Sequence, residues 1–243
     1  MREREHERLT TAEPLTTERR IRAESTGGPE SSLIREDGAV PDGEQRWTVI
    51  VPVKGGAGGK SRLLPADLAL ARAIALDTIA AALGASSVVR VIVPTSEPSL
   101  LDPVRDRVTL VVESQPRGIA AAIEAALQEC DPDSGRAVLL GDVPALRPED
   151  LDGALALAEQ FAGAFVADRE GTGTTLVTAR AGHPLVTAFG SGSASAHRAL
   201  GLAELPIPVE SRLRRDVDTA EQLADAEDLG LGDFSRAVRA QGR

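Results

Sequence analysis

From position 47 onward, blocks of continuous apolar residues alternate with longer stretches in which apolar positions recur at helical spacing. WTVIVPV is a β-branched run, and VVRVIVP, RVTLVV, AVLLGD and AGAFVAD are further short runs; each predicts a buried strand. The stretches between them predict helices over 66–83, 118–130 and 147–160. The last of these opens with Pro148 at a first helical position and Glu149 and Asp150 in the first turn, where they favour the helix dipole. Strands alternating with helices imply an α/β fold with a mainly parallel sheet covered by helices on both faces.

Past about residue 170 the alternation loosens. GTGTTLVTA reads as a strand, SASAHRALGL as a short helix, ELPIPVE and RRDVD as extended segments and TAEQLADAEDLG as a final helix. Ligands of such sheets gather beyond the carboxyl ends of the strands, so these later segments are expected to supply binding loops to one domain over 47–243. Residues 1–46 have no comparable pattern. They are charged, rich in Thr, Ser, Glu and Arg, end in REDGAVPDGEQR, and are expected to form a disordered tail.

Composition narrows the function. A chain of 243 residues with 42% hydrophobic content can fill a core, but with Trp47 and four Phe that core must be built from Ala, Val, Leu and Ile. The same scarcity of aromatics argues against a stacking platform for single-stranded nucleic acid, as does the net charge of −10. Positive charge is instead local, at Lys54, Lys60 and Arg62, which suits a small anionic ligand. Cys130 is the lone cysteine, which excludes an intrachain disulfide and a thiolate metal cluster. No apolar run approaches the roughly 18–20 residues of a membrane span, and the first residues lack the apolar core of a signal peptide, so a cytoplasmic protein is expected.

The segment VIVPVKGGAGGKSRL follows a strand with a glycine-rich loop. It misses the P-loop pattern because Lys54 stands where the first glycine belongs, yet its backbone amides and Lys54, Lys60 and Arg62 are equipment for holding phosphates. Asp142 directly follows AVLLG at the carboxyl end of a strand, where a turn or cap before Pro144 is the bland alternative. If RRDVDT is extended, Asp216 and Asp218 share a face and could hold a hard cation, although Asp218 could instead cap a helix starting at Thr219. Carboxylates opposite a cationic glycine loop suggest Mg²⁺-assisted chemistry on a nucleoside triphosphate. His6 lies in the tail, and His183 and His197 have no zinc-ligand spacing and are expected to hold local polar or packing positions. No Gly-x-Ser-x-Gly elbow is present; GSGSA places Gly192 where the serine would be required.

Taken in order, VPVKGGAGGKSRL, QPRGIAAAIEAAL, LLGDVPALRPEDL, GTGTT, FGSGSASAH and RDVDT resemble the guanylyltransferases that act on 2-phospholactate or phosphoenolpyruvate in making the deazaflavin coenzyme F420. The resemblance runs from residue 47 to about residue 229. It implies a single nucleotidyltransferase domain, GT-A-like and Rossmann-type, with a mixed, mainly parallel sheet. It implies GTP and phosphoenolpyruvate as substrates, with 2-phospholactate as the alternative acceptor, and Mg²⁺ as the cofactor. A nucleotide-binding module without turnover is the rival from another class. By resemblance, Lys54, Lys60 and Arg62 meet the triphosphate, Gln115 and Gly118 lie near the guanine, and Asp142, Asp216 and Asp218 hold Mg²⁺. Thr174, Gly190 and Ser193 match the acceptor-binding positions, and Asp142 and Lys60 are the catalytic pair. The Arg/Ala-rich, Lys-poor composition points to a GC-rich bacterium, and the bacterial members that the chain resembles favour phosphoenolpyruvate. Neither nucleic acid nor membrane is an expected partner, and a homodimer is left open.

Overall fold

The structure, a computed structural model, describes residues 46–54, 68–131 and 133–241. The tail expected over 1–46 therefore lies outside the described residues up to 45; the carbonyl of Arg46 already accepts a hydrogen bond from the Gly135 amide at 2.9 Å. Lys60 and Arg62 also lie outside the described residues.

The run at 47 forms β1 (Trp47–Ile50), all of it buried. It sits between β2 (Val88–Thr95) and β4 (Gly135–Leu139), parallel to both, with Val49 facing Val91 on one side and Ala137 on the other. β3 (Thr109–Val112) extends the sheet parallel to β2. Beyond β4 the direction changes: β6 (Thr174–Ala179) is antiparallel to β4, β5 (Gly163–Ala167) is antiparallel to β6, and the short β7 (Ala203–Glu204) runs parallel to β5. The seven strands lie in the order β3-β2-β1-β4-β6-β5-β7, the mixed, mainly parallel sheet that the sequence implied.

Alternate residues of each central strand feed two apolar layers, which is why these strands read as continuous apolar runs. Val49, Val51, Val91, Val93, Ala137 and Leu139 pack with Ile79 and Ala82 of α1 (Leu68–Gly84) and Leu151 and Leu155 of α3 (Pro148–Ala158). On the other face Ile50, Ile92 and Val138 meet Ile123 and Ala126 of α2 (Ile119–Leu127), and Phe165, Ala167 and Val177 meet Ala194 of α4 (Ser193–Ala199). α1 is apolar around most of its circumference because it is covered twice, by the sheet and by α6 (Asp233–Gln241), which follows α5 (Ala220–Leu229). α6 was not foreseen from the sequence. It is started from a distance: the buried carboxylate of Asp77 on α1 accepts the amides of Phe234 and Ser235, each at 2.9 Å. The 3₁₀ helix Pro98–Arg107, which buries Leu100, Leu101 and Val104, was likewise unforeseen.

RRDVD is not a strand of the sheet. It passes from a 3₁₀ turn (Arg212–Arg214) to α5, and is held by the Val217 amide donating to the Asp142 carbonyl at 2.9 Å. Val217 itself is fully buried against Leu70, Ile74 and Leu223. Among the described residues, no helix is long and apolar enough to cross a membrane.

Candidate active site

Among the described residues, the topology collects several of the predicted positions at one end of the sheet. β1, β2, β3 and β4 run in one direction, and β5 runs with them because both β4 and β5 oppose β6. Lys54 after β1, Gln115 and Gly118 after β3, Asp142 after β4 and Asp168 after β5 therefore share an end with Thr174, the first residue of β6. Lys54 and Gln115 are exposed there, and Gly118, at φ +93°, opens α2.

Three carboxylates meet at this end: one oxygen each of Asp168, Glu170 and Asp216 lies within 4.8 Å of the others. Asp168 is fixed by the turn that joins β5 to β6. Its Oδ1 accepts the Thr172 amide at 2.9 Å and its Oδ2 the Gly173 amide at 2.7 Å. A Cβ at position 173 would fall 2.3 Å from Asp168 Oδ2, so this approach requires glycine. The Asp168 carbonyl is braced in turn by the Arg214 guanidinium, with Nη2 at 2.7 Å and Nε at 3.1 Å.

Asp216 is electrostatically the most burdened member. Burial, then Asp142, Asp168, Asp218 and Glu170 around it, push its carboxyl up to about 7. Its Oδ1 is buried without a hydrogen-bond partner among the described residues. An all-oxygen set of converging carboxylates with an orphaned buried oxygen fits a hard divalent cation. Arg215 beside it is also incompletely satisfied, since its Nε and Nη1 are buried and have no partner among the described residues. It lines a small cleft with Arg169, Glu170, Asp216, Gln222 and Asp225.

The predicted set Asp142, Asp216 and Asp218 is thus brought together, with Asp216 in the tightest group and the other two close enough to act on its charge. The capping alternative for Asp218 falls away: Thr219 Oγ1 accepts the Gln222 amide at 3.2 Å, and Gln222 Oε1 accepts the amides of Asp218 and Thr219 at 2.8 and 3.0 Å. The sequence reading missed Asp168 and Glu170. Asp168 carried a usable signal, because AGAFVAD ends on it just as AVLLGD ends on Asp142. Glu170 carried none.

Thr174, Gly190 and Ser193 are also joined into one patch. The Ser193 amide donates to the Gly190 carbonyl at 3.2 Å, and the Ala194 amide donates to the Thr172 carbonyl at 3.1 Å, two residues before Thr174. Gly190 sits at φ +144°, a conformation that side chains resist. Thr174 and Ser193 are both buried, and Thr174 Oγ1 lies 2.9 Å from Nδ1 of His197, which is the packed, hydrogen-bonded residue expected of it.

The MobA-like NTP transferase domain matches residues 57–212, which places this mixed sheet, with carboxylates at the carboxyl ends of its parallel strands, among the nucleotidyltransferases, an enzyme class. The phosphoenolpyruvate guanylyltransferase of Thermomonospora curvata is 41% identical to this chain, the match covering 82% of this chain and 91% of the relative. That of Streptomyces scabiei is also 41% identical, over 81% of this chain and 97% of the relative. Among solved structures, a nucleotidyl transferase from Methanothermobacter thermautotroptrophicus shares the fold with a TM-score of 0.55 at 17% identity, over 79% of this chain and 99% of that one. The chain belongs to the phosphoenolpyruvate guanylyltransferase family of MobA-like NTP transferases.

Proposed function

We propose that this enzyme transfers the guanylyl group of GTP to phosphoenolpyruvate, giving enolpyruvyl-diphospho-5'-guanosine and pyrophosphate. The observation that carries this reading is the carboxylate group of Asp168, Glu170 and Asp216, beside the Thr174, Gly190 and Ser193 patch, in a chain 41% identical to enzymes of that name. A phosphate oxygen of phosphoenolpyruvate attacks the α-phosphorus of GTP; the new P–O bond forms as the bond to the β-phosphate oxygen breaks. A phosphomonoester with a second pKa of about 6 is largely dianionic at neutral pH, so no general base is required. That agrees with a patch whose histidine, His197, has both ring nitrogens committed to hydrogen bonds.

Asp142, Asp168, Asp216 and Asp218 would hold Mg²⁺, with Glu170 beside them. A bound Mg²⁺ ion screens the substrates' phosphate charge and restrains their oxygens. Lys54, Lys60 and Arg62 supply positive charge to the triphosphate, and Gln115 and Gly118 lie on the guanine side. Thr174, Gly190 and Ser193 hold the acceptor, and Arg215 has donors to spare for an anion. With the reactants aligned and their repulsion screened, little further chemistry is asked of the protein.

The choice of acceptor rests on shape. Phosphoenolpyruvate and 2-phospholactate carry the same carboxylate and phosphate, and a methyl-sized difference is worth only about 1–3 kcal/mol in a pocket. The test is a matrix of both acceptors against GTP, ATP, CTP and UTP with Mg²⁺, identifying products by mass. Enolpyruvyl-diphospho-guanosine from GTP as the dominant product is the expected result. Dominant lactyl-diphospho-guanosine would overturn the acceptor, and pyrophosphate release without any acceptor would overturn the reaction.

A further inference from the structure

His197 is fully buried on α4, with the rings of Phe165 and Phe189 at 5.6 and 5.3 Å from its own. Its two nitrogens reach different parts of the acceptor patch. The Ala188 amide points at Nε2 from 2.8 Å, and Nδ1 lies 2.9 Å from Thr174 Oγ1. A backbone amide can only donate, so Nε2 must present its lone pair. The ring proton of the neutral imidazole then sits on Nδ1, and burial, which pushes the His197 pKa down, favours that neutral form. It follows that Nδ1–H donates and Thr174 Oγ1 accepts. The Thr174 hydroxyl is thereby left with its own proton to give. Had the opposite tautomer been present, Thr174 would donate inward and offer only lone pairs, which repel an anion.

We propose that His197 is the positioning residue of the acceptor pocket: it commits the Thr174 hydroxyl to act as a donor to an anionic oxygen of the acceptor, and pins the chain two residues before Gly190. The proposal rests on the assignment of Thr174 to acceptor binding. One ring ties together the start of β6, the loop carrying Gly190 and the helix that opens at Ser193. The polarity of the whole patch follows from the direction of the single Ala188 amide.

Two side chains separate the bonds of that ring. Asparagine places its amide near the position of Nδ1 and can still donate to Thr174, whereas glutamine reaches the Nε2 position and cannot. In steady-state kinetics of the full-length enzyme with GTP and phosphoenolpyruvate, His197→Gln should raise the KM for phosphoenolpyruvate about tenfold or more with the KM for GTP within about twofold, the scale of a lost hydrogen bond to a charged group. His197→Asn should recover most of that loss. Thr174→Val should reproduce it, and adding His197→Gln to Thr174→Val should change the KM by less than about twofold. Long-range ¹H–¹⁵N correlation on the wild-type protein should show the Nδ1–H tautomer for His197, read against His6 and His183.

An Nε2–H tautomer, a Thr174→Val enzyme with unchanged KM for phosphoenolpyruvate, or parallel rises in both KM values would overturn the proposal. These outcomes in a wild-type enzyme that turns over phosphoenolpyruvate leave the assigned reaction standing. A wild-type enzyme that does not use phosphoenolpyruvate overturns both.

Discussion

Asp152 and Asp216 carry the same side chain in opposite circumstances. Asp152, on α3, accepts four hydrogen bonds: Oδ2 from the Ser86 amide and hydroxyl at 2.8 and 2.9 Å, and Oδ1 from the Ser87 amide and hydroxyl at 2.9 and 2.6 Å. Burial alone would raise its pKa, but the serine donors outweigh it and hold the carboxyl below its ordinary value. Asp216 has four carboxylates for neighbours and a buried oxygen without a partner among the described residues, and it is pushed up to about 7. The first clamps α3 to the turn between α1 and β2. The second sits among like charges at the sheet end, the kind of perturbed carboxylate that marks a candidate functional site rather than a scaffold.

The largest expected effects fall on the second region. Asp216→Asn and Asp142→Asn each remove a charge from the carboxylates proposed to hold Mg²⁺, so turnover should drop at least about a hundredfold in assays at saturating GTP and phosphoenolpyruvate. The melting temperature of metal-free Asp216→Asn should equal or exceed that of the wild type, because repulsion is relieved. A marked fall in melting temperature would mean that Asp216 is structural after all and would erase the contrast with Asp152.

Asp152→Asn should show the reverse pattern. An amide cannot accept at both ends, so two serine donors lose their partner and stability should fall by about 2–3 kcal/mol in urea titration. Turnover per folded molecule should stay near that of the wild type.

The contrast also has a sign in pH. The folded pKa of Asp216 lies above its unfolded value, so in the metal-free protein its contribution is most favourable below the usual carboxylate pKa and is lost as pH rises through about 7. The wild-type melting temperature, taken relative to Asp216→Asn, should therefore fall between about pH 5 and pH 8 without metal, and Mg²⁺ should flatten that slope. Asp152, with a lowered pKa, contributes above the unfolded carboxylate pKa and loses that contribution as pH falls through its folded value. The smallest effect belongs to Ser87→Ala, which removes one hydroxyl donor from Asp152 and should cost about 1 kcal/mol with no change in turnover.

How much of this could be read from the chain depends on how local each cause is. The central strands were legible because strands covered on both faces are built almost wholly from apolar and β-branched residues, as 47–50 is. Pro148, Glu149 and Asp150 marked the start of α3 for reasons confined to one helical turn. α6 was not legible because the group that starts it, Asp77, lies 157 residues before Phe234. At the site, Asp142 stood out at a strand end, and Asp216 and Asp218 by their spacing. Glu170 reaches Asp216 only through the turn that Asp168 organises, a relation that no spacing records. His197 was correctly read as a packed polar residue, but its tautomer depends on the direction of the Ala188 amide, which only the folded loop defines.

The proposed role of the crowded carboxylates at the sheet end is to serve guanylyl transfer to phosphoenolpyruvate. It is tested most directly by titrating Mg²⁺ into wild-type and Asp216→Asn enzyme with GTP and phosphoenolpyruvate, and following enolpyruvyl-diphospho-guanosine by mass and pyrophosphate release. Mg²⁺-dependent product is expected with wild type, and a loss of at least about a hundredfold with a folded Asp216→Asn enzyme. Equal turnover by the two enzymes at limiting Mg²⁺ would contradict it.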